Sequence, residues 1–190
     1  MNWPLTVRSD SPAATREVAA RLAPLCVSGD IVLLIGDLGA GKTVFAQGFA
    51  AALGVAGPVT SPTFALVRQY RCAAGAPVET LLHADVYRTS SLPEVVDLAL
   101  AELVEDDALA LVEWGDLAEP ALGDSALAVT LTVPPSAASP SDSRADGLAN
   151  GAADAPADER IITIAGRGRW ASRAVEVAGV LPPAGAGALS

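Results

Sequence analysis

Residues Gly36 to Thr43 read GDLGAGKT, a set of types and spacings able to hold a polyphosphate. Glycines at 36, 39 and 41 let backbone N–H groups turn inward around phosphate oxygens, with Asp37, Leu38 and Ala40 completing the loop. A helix starting at the end of such a loop presents its positive N-terminus to the same anion. Lys42 adds a mobile charge for the terminal phosphates, and Thr43 supplies a hydroxyl suited to Mg²⁺. The plainer reading is a glycine-rich structural turn. With this composition, chance places the pattern in roughly one such chain in a thousand. Lys42 is also the only lysine in the chain.

Phosphoryl chemistry at a loop of this kind needs a carboxylate at a neighbouring strand end, to hold the metal's water shell or orient an attacking water. Two acids qualify: Glu113, after Leu109 to Val112, and Asp85, after Leu81 to Ala84. Either one alone reads equally well as a helix cap or a solvated acid; together they end two strands that can flank the loop's own strand. His83 is the only histidine, which excludes sites needing two imidazoles; it has two readings, as a residue that orients Asp85 or a phosphate and, more often for a lone histidine at a strand end, as a structural one. Arg88 has three readings, as a partner of Asp85, a phosphate contact or a surface ion pair. No Asn-Lys pair exists, so guanine reading by an N-K-x-D element is excluded and ATP is the expected nucleotide.

These residues require a frame. Leu5 to Arg8 predicts a first strand, and Asp10 or Ser11 caps a helix in which Val18, Leu22 and Leu25 recur at helical spacing. Asp30 to Ile35 is the uninterrupted apolar run of a central parallel strand, and Val44 to Leu53 a helix ending near Gly54. Phe64 to Arg71 and Val78 to His83 flank a turn and predict an antiparallel hairpin at a sheet edge. Ser91 to Glu94 has capping-box spacing for a helix running through Leu103; Ala108 to Val112, Ala126 to Val133 and Ile161 to Ala165 read as strands, and Arg169 to Val177 as a last helix. The expected fold is α/β: a single P-loop NTPase domain over 1–178 with a mixed, mainly parallel central sheet flanked by helices. Residues 134–158, rich in Pro, Ser, Ala, Gly and Asp, read as a disordered insertion, and 179–190 as a flexible tail.

Composition narrows the classes further. A net charge of −10 leaves no basic field for a phosphate backbone, so independent nucleic-acid binding is disfavoured and a protein partner expected. Cys26 and Cys72 lie far apart, supporting neither a disulfide framework nor a cysteine zinc site. With no signal-peptide pattern and no apolar stretch of spanning length, the expected location is the cytoplasm.

Four motifs in order, GDLGAGKT at 36–43, TSPTF at 60–64, HADVYR at 83–88 and LVEWGD at 111–116, resemble the TsaE-type ATPases of the bacterial pathway that makes threonylcarbamoyladenosine in tRNA. The resemblance runs from Leu5 to Trp114 and more loosely beyond. It implies that Thr43 and Glu113 serve Mg²⁺, that Asp85 is the acid needed for hydrolysis, and that Thr60, Ser61, Pro62 and Thr63 form a nucleotide-sensing segment. It also implies that the Asp10-Ser11 turn lies near the base, with Ser11 in the nucleotide set, and that Trp114 sits beside the active site. The chain departs from the pattern in its long insertion and in Gly115, where the family has proline.

The implied activity is Mg-dependent ATP hydrolysis acting through a TsaB–TsaD heterodimer, with tRNA reached only through that complex. Two rivals stand beside it. A small-molecule P-loop kinase would need an arginine-bearing lid, which the acid-rich stretch 136–160 disfavours. A nucleotide-dependent binding module would use ATP to organise an interface with little turnover.

Overall fold

The computed structural model describes residues 2–62, 66–87, 100–104, 107–134 and 158–181. Thr63, Arg88, most of the helix expected from Ser91 and the interior of the insertion lie outside the described residues. Strands β1 (Leu5–Ser9), β2 (Ile31–Ile35), β3 (Val67–Arg71), β4 (Thr80–Asp85), β5 (Ala108–Glu113), β6 (Ala126–Thr132) and β7 (Arg160–Arg167) form one sheet in the order β1-β7-β6-β2-β5-β4-β3. The inner block β6-β2-β5-β4 is parallel. Strands β7 and β1 extend it antiparallel on one side, and β3 closes the other edge as half of the expected hairpin.

Burial follows from this order. All six residues of β5 are buried and so are the first four of β2, because helices or loops cover both faces of the parallel block. Edge strand β1 alternates buried and exposed, as expected with one face packed. Helices α1 (Pro12–Leu22) and α2 (Lys42–Ala52) cover one face. They approach so closely that a Cβ on Gly48 would lie 2.4 Å from the Arg16 carbonyl oxygen. Phe45 and Phe49, fully buried beneath them, stabilise the layer by on the order of 2 kcal/mol each. On the other face α4 (Gly115–Ala118) and Val104, which follows α3 (Leu100–Leu103), flank a smaller core holding Leu33, Leu82, Ala110, Val112 and Ala118.

The C-terminal segment differs from its sequence pattern. Gly168–Trp170 is a 3-10 turn and α5 spans Ala174–Val180, ending later than the expected Val177. Trp170 accounts for the break: its indole donates to Asp30 at 2.8 Å and is fully buried, which fixes the turn before the helix starts.

Candidate functional site

Strand alternation decides which side chains meet. In β4 and β5, Leu81, Leu109 and Leu111 face the α1/α2 layer while Leu82, Ala84, Ala110 and Val112 face the opposite core. Period two therefore puts His83, Asp85 and Glu113 on the side that α2 covers. Asp85 and Glu113 are register neighbours at the carboxyl ends of β4 and β5, and Glu113 also pairs with Leu34 of β2. The next residues after β2 form the glycine loop, at the point where the chain's later strands add on either side of β2. Ligands bind open α/β sheets at such carboxyl-end switch points.

The loop is built by close approach. Gly36 has φ of 144°, and a Cβ there would lie 2.3 Å from the Leu131 carbonyl oxygen, so β6 forms its back wall. Gly41, at φ 105°, is the N-cap of α2. The Lys42 ammonium donates to the carbonyl oxygens of Gly36 at 2.6 Å and Asp37 at 2.9 Å, and lies 3.7 Å from the centre of the Trp114 ring. Burial pushes its pKa down, and the nearby carboxylates of Glu113, Asp85, Asp116 and Asp37 pull it partly back. Thr43 donates to Glu113, its Oγ1 lying 3.0 and 3.1 Å from the two carboxylate oxygens.

Glu113 is almost fully buried, and His83 Nε2 lies 3.0 Å from its Oε1. Asp85 is held from two sides: Oδ2 accepts from the Ser61 hydroxyl at 2.5 Å and Oδ1 from the Tyr87 amide at 3.1 Å. Ser61 belongs to a short bridge. Gln47 of α2 donates to the Val59 carbonyl, and Arg68 of β3 donates to the Thr60 hydroxyl. The expected sensing segment thus touches the carboxylate end of β4 through Ser61, with Pro62 buried beside it.

Trp114 adopts a left-handed backbone, φ 61° and ψ 42°, which costs energy for a bulky side chain. That turn directs its ring to Lys42 on one side and to Tyr87 on another, with ring centroids 4.4 Å apart. Gly115 follows because a Cβ there would come within 2.5 Å of Leu33 Cβ.

The family model of threonylcarbamoyl adenosine biosynthesis protein TsaE matches residues 9–139. The chain belongs to the TsaE family. A Bacillus subtilis tRNA threonylcarbamoyladenosine biosynthesis protein TsaE is 39% identical over 124 residues, covering 65% of this chain and 75% of the relative. The protein of the same name from Streptomyces coelicolor is 45% identical over 102 residues, covering 53% and 67%. The crystal structure of Bacillus subtilis YdiB superposes with a TM-score of 0.63 at 29% identity, covering 94% of this chain and 97% of that one. The TsaE family's place in making threonylcarbamoyladenosine in tRNA is accordingly this chain's place too.

Set against the residues expected for a TsaE-type site, Gly36 to Thr43, Asp85 and Glu113 converge at one end of the sheet, joined by Thr60, Ser61 and Pro62. Ser11 caps α1, accepting from the Ala14 amide at 3.2 Å. It follows β1, whose Ser9 pairs with Arg160 beside the loop, so the Asp10-Ser11 turn occupies the same end of the molecule. Tyr87 and Arg160 join the site although sequence alone did not put them there, and His83, open to two readings in the sequence, joins it through Glu113. The alternation in HADVYR carried the signal for His83, which shares a face with Asp85. Arg160 had none, since only the β1–β7–β6 register brings it near the loop.

Proposed function

We propose that this TsaE-family chain binds and hydrolyses ATP with Mg²⁺ in the cytoplasm. Its cycle drives a TsaB–TsaD heterodimer that modifies the tRNA adenosine beside the anticodon. The observation that carries this reading is the direct link from Thr43, at the head of the phosphate loop, to the buried Glu113, with Asp85 one strand away. A bare structural turn has no reason to bury a carboxylate against its threonine.

Thr43 and Glu113 are hard oxygen donors that fit Mg²⁺, a cation that takes only one or two protein ligands and completes its shell with water and phosphate. Bound there, Mg²⁺ would supply charge to offset the polyphosphate. Lys42 exchanges its two carbonyl acceptors for phosphate oxygens. Asp85 orients the water that attacks the terminal phosphorus; the bond to the bridging oxygen breaks, releasing ADP and phosphate.

The Ser61–Asp85 hydrogen bond favours a second reading, in which ATP organises a binding surface and turnover by the isolated chain is slow. A partner that shifts the Thr60–Pro62 segment would release Asp85. ATP turnover measured with and without purified TsaB–TsaD tests both: stimulation supports the driven cycle, and tight Mg-ATP binding without turnover in either case supports the module. Turnover that needs a small-molecule phosphate acceptor and neither protein would instead establish a kinase. Asp85→Ala should retain ATP and stop hydrolysis, while Glu113→Ala should weaken the Mg²⁺ dependence of binding.

A further inference from the structure

Arg160, the first residue of β7, belongs to none of the four motifs. Its guanidinium reaches across the sheet to the outer side of the phosphate loop: Nε donates to the Ala40 carbonyl at 2.9 Å, one terminal nitrogen to the Gly39 carbonyl at 3.3 Å and the other to the Glu159 carbonyl at 2.8 Å. Its strand is fixed on both sides, by Ser9 of β1 opposite Arg160 and by Thr132 of β6 opposite Ile161. Glu159, itself buried, is paired with Arg8. The arginine is therefore mounted on rigid sheet.

We infer that Arg160 is a positioning residue of the phosphate loop, holding its peptide groups in the anion-binding orientation. In a trans peptide the N–H and C=O point in opposite directions. With the Ala40 carbonyl turned to Arg160, the N–H of Gly41 is directed the other way. The Ala40 N–H is separately occupied by the Asp37 carbonyl at 3.1 Å. Glycines at 39 and 41, both at positive φ, make this segment the easiest part of the loop to flip. A planar donor that binds two successive carbonyls opposes such a flip. It also polarises the Ala40–Gly41 peptide so that the Gly41 N–H donates more strongly. Its charge stands behind the loop in a chain whose net charge is −10.

This inference rests on the nucleotide-binding reading above, and the experiment separates the two. Mg-ATP, Mg-ADP and inorganic pyrophosphate are titrated calorimetrically into the wild type, Lys42→Ala, Arg160→Gln and Arg160→Lys, with folding of each checked by circular dichroism. A wild type that binds none of the three ends the nucleotide reading itself. Given wild-type binding, Arg160→Gln should lose about tenfold in affinity for all three ligands alike, since all use the loop amides. Arg160→Lys, which keeps the charge and loses the fork, should fall between and serves as the deciding variant if Arg160→Gln does not fold. Affinities within twofold of wild type in the folded variant overturn the inference. So does a loss confined to ATP, which would mean that the guanidinium contacts the terminal phosphate directly.

Discussion

His83 Nε2 lies 3.0 Å from Glu113 Oε1 within the sheet, and the histidine has no solvent exposure. Its other nitrogen, Nδ1, has no hydrogen-bond partner among the described residues. A proton on Nδ1 would be a buried donor with nothing to receive it, at a cost of about 1–3 kcal/mol. The ring thus carries its proton on Nε2 and donates to the carboxylate that also accepts from Thr43. Histidine here orients the acid, as outer partners do for metal-binding carboxylates.

His83→Leu should therefore raise the Mg²⁺ concentration needed for half-maximal nucleotide binding by about tenfold. His83→Gln, which retains an N–H donor, should recover part of that loss. The measurement is a Mg²⁺ titration at fixed ATP with a fluorescent nucleotide analogue. A His83→Leu midpoint within twofold of wild type would show that Glu113 keeps its orientation unaided.

Lys42 gives a prediction whose sign is set by burial. Its folded pKa is lowered, chiefly by desolvation, so between the folded value and the unfolded 10.5 the unfolded chain binds more protons. Stability should then rise with pH across that window, the penalty being fully present below it. Lys42→Met removes the penalty along with the charge. At pH 7 it should melt at or above the wild-type temperature while losing ATP turnover altogether. A variant that melts many degrees lower would mean that the carbonyl and Trp114 contacts outweigh the desolvation.

Much of this arrangement was legible in the chain. The apolar run before Gly36, the carboxylates ending β4 and β5, and the edge hairpin all follow from patterns local to a few residues, which alternation and turn chemistry encode directly. The antiparallel addition of β7 and β1 was not legible, because pairing between Ser9 and Arg160 depends on sheet order and no short segment records it. His83 shows a different gap. A histidine that orients an acid and a purely structural one have the same sequence signature, and only the distance to Glu113 separates them. Trp114 could be placed near the site, but its left-handed turn and its contact with Lys42 arise from three-dimensional packing that no local pattern records.

The segment between β6 and β7 should be dispensable for folding. Thr132 stands directly opposite Ile161 in an antiparallel pair, so the two strands can be joined by a short hairpin loop. Shortening a long connection lowers the closure entropy, by only about 0.6 kcal/mol for each halving. Replacing residues 137–157 with a short Gly-Ser link should leave the melting temperature unchanged or slightly raised, read by calorimetry. A fall of many degrees would show that the replaced residues pack against the domain.

The last prediction concerns tRNA. The chain's densest arginine cluster, RGRWASR at 167–173, is the obvious place for contact with a polyanion. The structure gives those arginines acidic partners: Arg167 with Glu119, Arg169 with the buried Asp30, and Arg173 with Glu176. Arg173 also donates to the Leu25 carbonyl and lies over the Trp170 ring. The cluster sits beyond the end of β7 remote from Arg160 and the phosphate loop, with Arg167 opposite Ala126 at the start of β6. Engaging a phosphate backbone there would require breaking ion pairs in a molecule whose net charge is already −10. Isolated protein should accordingly show negligible affinity for tRNA in a filter-binding assay at physiological salt, the contact being made by partner proteins. Tight binding that weakens steeply with added salt would contradict this, because such a slope counts phosphates neutralised by basic side chains. Were that slope abolished by replacing Arg169 and Arg173 with glutamine, the cluster itself would be the tRNA contact, and its ion pairs would have to exchange partners on binding.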